Sequence, residues 1–99
     1  MAESLTIRME ELRHAIARTL IAAEERLGPE VALTEDHYWH IPVGAAFDMT
    51  REPTSFTVGQ LSDDLEHLRE AADVEPETVW HDLSHLVGLL RAVERVVVS

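Results

Sequence analysis

The stretch Phe56-Thr57-Val58-Gly59-Gln60-Leu61 decides the predicted fold, because it indicates where a helix begins after a long aromatic segment. The Thr57 hydroxyl can cap the first helical turn, and the Gln60 side chain can bond back to the Thr57 backbone N–H. Phe56 and Leu61 stand where a hydrophobic staple requires apolar residues. The pattern predicts a helix over about residues 58–73 and separates it from the aromatic residues that precede it.

A second helix is predicted near the N-terminus. Apolar residues recur there every three or four positions from Leu5 to Leu27, which is the spacing of one helix face. The pattern stops at Gly28-Pro29, a glycine that permits a helix end followed by a residue that cannot continue the helix. We therefore expect a helix over about residues 4–27.

A third helix is predicted over about residues 76–97. Pro76 suits a first helical position. The apolar positions that follow keep a spacing of three or four, which predicts one buried face: Val79, Leu83, Leu86, Leu90, Val93 and Val97. Gly88 weakens this helix by about 1 kcal/mol relative to alanine, so we expect a neighbouring backbone to approach it closely.

These three segments predict an all-α fold, a three-helix antiparallel bundle in a single domain of 99 residues. The segment at about residues 30–56 connects the first two helices and holds four of the five aromatic residues. A structureless loop of this length is unusual in a small domain, so we expect it to pack onto the helices as an aromatic lid. Residues 38–41 should be extended, because Ile41 precedes Pro42.

The composition restricts the compartment and the chemistry. There is no cysteine, which excludes disulfides, thiol nucleophiles and cysteine-ligated zinc. No apolar run approaches the roughly 20 residues of a membrane-spanning helix, so we expect a cytoplasmic protein. All eight basic residues are arginine, which favours a GC-rich bacterial source.

The net charge of −11 lies in the middle of the chain. Residues 30–82 hold thirteen acids against Arg51 and Arg69, and 2 − 13 = −11 accounts for the whole excess. Such a field repels nucleic acid and anionic membranes and attracts a basic partner. The simpler interpretation is that the charge keeps the protein soluble, and a homo-oligomer is compatible with either interpretation.

A group of motifs in this middle segment resembles a known set of proteins. Tyr38-Trp39-x-Ile41-Pro42 is followed by Phe47-Asp48, by Pro53 and by the run Gly59-Gln60-Leu61-Ser62-Asp63-Asp64. This order resembles a widespread group of small uncharacterised bacterial proteins over about residues 37–97. The resemblance implies a small helical protein and brings no activity, ligand or partner with it.

We expect a non-enzymatic binding or accessory protein whose partner is a protein with a basic surface. An inhibitor or immunity protein for a cationic toxin, or a subunit of a larger assembly, fits this description. The residues expected to bind the partner combine aromatic anchors with flanking acids: Tyr38, Trp39, Glu35, Asp36, Asp48 and Glu52. Core packing is the alternative for the two anchors, and it is the favoured alternative for Trp39.

The alternative function is that of a small zinc protein. His81-Asp82-Leu83-Ser84-His85 places two imidazoles at i and i+4 on one helix face, similar to the His-Glu-x-x-His pattern of zinc enzymes. Zinc needs a further ligand, which His37 or His40 could supply. We expect instead that His81 and His85 border the apolar face, stacked on aromatic rings or solvated, and that the protein holds no cofactor.

Other candidate sites have ordinary explanations. Asp63 and Asp64 lie in the first turn of a predicted helix, where the helix dipole favours acids without any metal. Ser84 points about 100° away from His85 on a helix, which is a poor geometry for a nucleophile and its base. No phosphate-binding loop is evident, so the sequence predicts no catalytic residue.

Overall fold

The computed structural model describes residues 5–70 and 74–99. By its internal contacts the chain divides into two compact units, the first ending at Ala32 and the second covering Leu33–Ser99. Most of the described residues are helical. Within the described ranges, no helix is both long enough and apolar enough to cross a membrane.

The first unit contains one helix, α1, at Met9–Leu27. Its end is confirmed at the predicted Gly28, which has a φ of 89° and donates its N–H to the Glu24 carbonyl at 2.7 Å. The predicted start at about residue 4 lies outside the described residues, and residues 5–8 are not helical. Arg8 occupies the N-cap position in an extended conformation and offers no capping side chain.

The second unit combines a small sheet with helices. Its elements, in chain order, are strand β1 at His37–His40, helix α2 at Val43–Ala46, strand β2 at Thr57–Gln60, helix α3 at Leu61–Glu70, a 3₁₀ turn at Pro76–Thr78 and helix α4 at Val79–Val98. The two strands are antiparallel, with Tyr38 opposite Gly59 and Trp39 opposite Val58. The helix predicted over about residues 76–97 is thus the 3₁₀ turn followed by α4.

The prediction of an all-α three-helix antiparallel bundle was wrong. The described residues form four α-helices and a two-stranded antiparallel sheet, so the fold is mixed. Residues 57–60, which we interpreted as a helix start, form β2, because Thr57 and Val58 also suit a strand and β1 lies opposite them. The predicted helix end near Asp73 lies outside the described residues.

The prediction that the aromatic segment packs down as a lid also failed. Trp39 is 76% exposed and Phe47 is 83% exposed, although Trp39 contacts the Phe56 ring edge-on at 6.2 Å. Alternation along β1 explains the difference, since successive strand residues face opposite sides. Tyr38 faces inward and is half-buried, whereas Trp39 faces outward.

The start of α3 is capped by a residue from before β1. The Leu61 N–H donates to the Asp36 carbonyl at 2.6 Å, and the Ser62 N–H donates to Asp36 Oδ1 at 2.7 Å. The Gln60 side-chain amide and the Ser62 hydroxyl donate to Asp36 Oδ2 at 3.1 and 3.0 Å. The cap predicted at Thr57 is therefore supplied by Asp36, which also joins β1 to α3.

Replacing Asp36 with alanine should lower the melting temperature at pH 7 by several degrees. The hydrogen bonds from Gln60 and then from Ser62 hold the Asp36 pKa below its ordinary value. A lowered pKa stabilises the fold above the pKa of the unfolded chain, and that stabilisation is lost as the pH falls through the folded pKa. The gap between wild type and Asp36→Ala in thermal unfolding should therefore narrow in acid.

Asp48→Ala is the matched control for this prediction. The Asp48 pKa is also lowered, by hydrogen bonds from the Thr50 hydroxyl and backbone N–H, but these bonds close a turn between residues two positions apart. The control should melt closer to wild type. Equal losses for Asp36→Ala and Asp48→Ala would contradict the capping role of Asp36.

Helix α3 packs against α4, but not through the predicted apolar face of α4. Val79, Leu83, Leu86 and Leu90 on that face are each at least 40% exposed, so the prediction that they are buried was wrong. Gly88 is instead the buried residue of α4. The helix is rotated so that its glycine and its histidines, rather than its leucines, lie near α3.

Candidate metal centre

Three histidines converge where α3 meets α4. Each of His67, His81 and His85 offers a ring nitrogen, and these nitrogens all lie within 4.8 Å of one another. His81 and His85 share one face of α4 at i and i+4, and His67 comes from α3. A set of three imidazoles drawn from two packed helices is a donor set suited to zinc and related divalent metals.

The three rings are in direct contact. The His67 and His85 rings are stacked, with centroids 3.9 Å apart and planes inclined by 16°. The His81 ring lies edge-on to both, at 5.2 Å from His67 and 4.6 Å from His85, and Trp80 contacts its edge at 5.3 Å. His81 is exposed, while the other two are partly buried. The three side chains therefore form one cluster with an open side at His81.

A buried carboxylate supports this histidine cluster. Asp64 is 3% exposed, and its two oxygens each have a partner. Oδ1 lies 2.6 Å from His85 Nδ1, and Oδ2 accepts the Tyr38 hydroxyl at 2.7 Å. The sequence interpretation of Asp64 as a simple dipole partner in the first turn was therefore incomplete, because this residue links β1, α3 and α4.

Two glycines leave space for the hydrogen-bonded side chains of Tyr38, Asp64 and His85. A Cβ atom placed on Gly59 would overlap the Tyr38 ring, and one placed on Gly88 would overlap both the Tyr38 hydroxyl and the Asp64 carboxylate. The predicted close approach at Gly88 is therefore real, but the neighbours are side chains and not a backbone. Glycine at these positions lets a buried tyrosine and a buried acid meet between β2, α3 and α4.

Burial raises the Tyr38 pKa, and the hydrogen bond to Asp64 and the negative charges of Asp64 and Asp63 raise it further. The phenol therefore stays protonated at neutral pH and donates to Asp64. An ionised aspartate can only accept hydrogen bonds, and the Tyr38 hydroxyl occupies Oδ2. The His85 tautomer that bonds to the ionised Asp64 is therefore the one with its proton on Nδ1.

The hydrogen bonds leave the Nε2 atoms of two histidines as the donors available to a metal. Asp64 accepts from His85 Nδ1, and the Asp63 carbonyl lies 3.3 Å from His67 Nδ1 and can only accept. His85 Nε2 is buried and has no hydrogen-bond partner among the described residues. An unpartnered imidazole nitrogen in a buried position, oriented by a carboxylate on its other nitrogen, is the arrangement that metal-binding histidines use.

A cleft of about 270 Å³ opens beside His81 and His85. Polar side chains from β1, β2 and α3 line its other walls, and Ser84 lies between the two histidines in sequence. Tyr38 and Asp64 form part of its floor. The histidine cluster is therefore next to a space that can admit a small molecule.

The structure brings together only part of the predicted zinc set. His81 and His85 converge as the alternative interpretation required, but His37 and His40 are not members of the group. His37 is exposed on β1, and His40 lines the cleft. His67, which sequence reasoning missed, takes the third place. Its spacing of three from Asp64 was the available signal, since it puts both residues on one face of α3.

The residues predicted to bind a partner make different contacts in the structure. Glu35 pairs with Arg95 at 2.8 Å, Asp36 caps α3, and Asp48 accepts hydrogen bonds from Thr50. Glu52 is exposed in the connection before β2. Trp39, a predicted anchor for which core packing was the favoured alternative, is exposed, because the side of β1 that it occupies faces away from α3 and α4.

No protein-family model matches the chain, and no curated protein or solved structure matches it.

Proposed function

We propose that the protein binds a divalent transition metal, zinc foremost, through His67, His81 and His85. The observation that carries this proposal is the convergence of the three ring nitrogens within 4.8 Å. The contacts of His85 Nδ1 with Asp64 and of His67 Nδ1 with the Asp63 carbonyl support it, because a hydrogen bond at Nδ1 leaves Nε2 of each ring to bind a metal. Nitrogen donors without thiolates suit zinc, copper and nickel better than magnesium or calcium.

Small movements would complete the site. A tetrahedral site with zinc–nitrogen bonds of about 2.0–2.1 Å separates its donors by roughly 3.4 Å. The nitrogens lie no more than 4.8 Å apart, so the widest pair must close by up to about 1.4 Å (4.8 − 3.4), and the stacked His67 and His85 rings must splay. Rotation about side-chain bonds supplies such a movement without shifting either helix.

Zinc should raise the melting temperature of the protein, and a chelator should reverse the increase. Zinc at 100 times its dissociation constant stabilises a folded site by about 2.7 kcal/mol, which shifts the melting temperature of a chain this size by about 10 °C or more. His67→Ala should abolish the response in thermal unfolding, because it removes the donor that α3 contributes. His40→Ala, which removes a neighbouring histidine outside the cluster, should keep it.

Two results would contradict the metal site. One is a wild-type melting temperature that zinc does not change. The other is a loss of the zinc response in His40→Ala as large as that in His67→Ala, which would indicate scattered surface binding.

We also propose a second function, capture of a basic partner protein, because the outer face of the sheet exposes aromatic side chains. Trp39 and Phe56 contact each other there while remaining 76% and 52% exposed, and Met49 is 90% exposed. Exposed aromatic clusters are common anchors in protein interfaces. The acidic excess of residues 30–82 favours a basic surface on the partner.

Salt should have opposite effects on the stability of the free protein and on its association with such a partner. Raising the ionic strength screens repulsion among the acids of residues 30–82, so the melting temperature should rise modestly. The same screening should lower the association rate measured with a partner recovered at low salt. Trp39→Ala should speed dissociation, and Glu52→Gln should slow association more than Glu10→Gln. An association rate that is insensitive to salt would contradict a role for the charge.

A further inference from the structure

We infer that the metal held by His67, His81 and His85 keeps one coordination position open to the adjacent cleft, where a small neutral nitrogen or oxygen donor binds. This inference rests on the proposed metal site and adds the class of ligand that the site takes. An exchangeable position distinguishes metal sites that act on or sense a ligand from purely structural ones, which are closed by four protein donors.

The described residues supply three donors and no fourth. The group of converging ligands contains the three histidines alone among residues 5–70 and 74–99. Asp64, which contacts His85, is already used at both oxygens, by His85 and by Tyr38. A tetrahedral ion therefore has one position left for a ligand from solvent.

The open position has a place to receive that ligand. The cleft of about 270 Å³ is lined by His81 and His85, two of the three proposed ligands. Its size is just below that of drug-sized pockets and suits a molecule of a few non-hydrogen atoms. Ser84 lines the same cleft and follows His81 by three positions on α4, so its hydroxyl can hydrogen-bond a bound donor.

The charges around the cleft favour a neutral ligand over an anion. A divalent ion brings two positive charges, and the Asp63 and Asp64 carboxylates that line the cleft bring two negative ones. The ion therefore adds no net positive field to attract an anion, and the acids of residues 30–82 repel one. Water, an amine or an imidazole meets no such repulsion.

Cobalt(II) tests the inference, because its visible absorption reports the number and kind of its ligands. Wild-type protein with one equivalent of Co²⁺ should show the absorption of a four-coordinate ion, and imidazole should change that spectrum saturably. Azide, a small anionic nitrogen donor, should bind at least about tenfold more weakly. Ser84→Leu should leave the Co²⁺ spectrum in place but weaken imidazole binding by about tenfold or more by filling the cleft, while Ser55→Leu in the exposed connection should match wild type.

The outcomes separate the two proposals. A Co²⁺ spectrum that imidazole does not change would overturn the open position and leave the metal site standing. Azide binding as tight as imidazole binding would overturn the preference for neutral donors. A complete absence of a Co²⁺ spectrum would contradict the metal site itself, and the open position with it.

Discussion

Gly88→Ala should destabilise the protein by about 2 kcal/mol or more, although alanine is the better helix former by about 1 kcal/mol. The added Cβ would overlap the Tyr38 hydroxyl and the Asp64 carboxylate at the buried contact between α3 and α4. Overpacking a tight site costs about 1–3 kcal/mol, and a buried hydrogen-bonding group that loses its partner costs about as much. Urea unfolding measures the difference.

Gly44→Ala is the matched control, because Gly44 also lies in a helix but has open space around its Cα. That variant should be as stable as wild type or slightly more stable. In a Tyr38→Phe background, Gly88→Ala should cost less than it does in wild type, because the clashing hydroxyl is gone. Equal costs for Gly88→Ala in the two backgrounds would contradict the packing of Tyr38 against α4.

Asp64→Asn should lower the affinity for zinc by about 10- to 100-fold, the loss usual for groups that orient a metal-binding histidine. The change keeps the size of the side chain but replaces one accepting oxygen with a donating amide. Either His85 Nδ1 or the Tyr38 hydroxyl then loses its acceptor, and both are partly buried. Isothermal titration with zinc gives the affinity, and thermal unfolding without zinc gives the separate loss of stability.

Asp63→Asn is the control for Asp64→Asn. Its side chain is the adjacent acid on α3, but it is the Asp63 backbone carbonyl that lies near His67 Nδ1. The charge removed is the same, whereas the hydrogen bonds to the histidines remain. If both variants weakened zinc binding equally, Asp64 would act on zinc through its negative charge and not by orienting the His85 ring.

Local signals predicted some elements well. The Gly28 stop fixed the end of α1, because a glycine at positive φ followed by proline leaves a helix few ways to continue. The extended backbone predicted over residues 38–41 is confirmed for Tyr38, Trp39 and His40, which lie in β1 and pair with β2, whereas Ile41, the residue before Pro42, lies just past the end of the strand.

The segment at residues 57–60 shows why other elements could not be predicted. Its residues are compatible with a helix cap and with a strand equally well. Whether the segment forms a strand depends on pairing with residues 37–40 and on the cap that Asp36 supplies to the next helix. Both interactions join positions about 20 residues apart or more in sequence, which periodicity within one helix cannot reveal.

Only part of the histidine cluster could be predicted from the sequence, for a similar reason. His81 and His85 share a helix face by spacing alone, so their convergence could be read directly. His67 joins them only through the rotation of α4 against α3, and that rotation depends on Gly88 receiving Tyr38 and Asp64. In the sequence Asp64 resembled an ordinary acid in the first turn of a helix. The residues on either side of it do not indicate that its side chain is buried.

The most direct measurement of the metal site is a proton–nitrogen correlation spectrum of the histidine side chains during titration with zinc. The chain has six histidines, and we expect the ring nitrogens of three, His67, His81 and His85, to shift together and saturate at one equivalent. His67 and His85 should keep a protonated Nδ1 and lose the free Nε2 signal. Zinc-dependent shifts at His14, His37 or His40 with His67 unchanged would contradict the proposed centre.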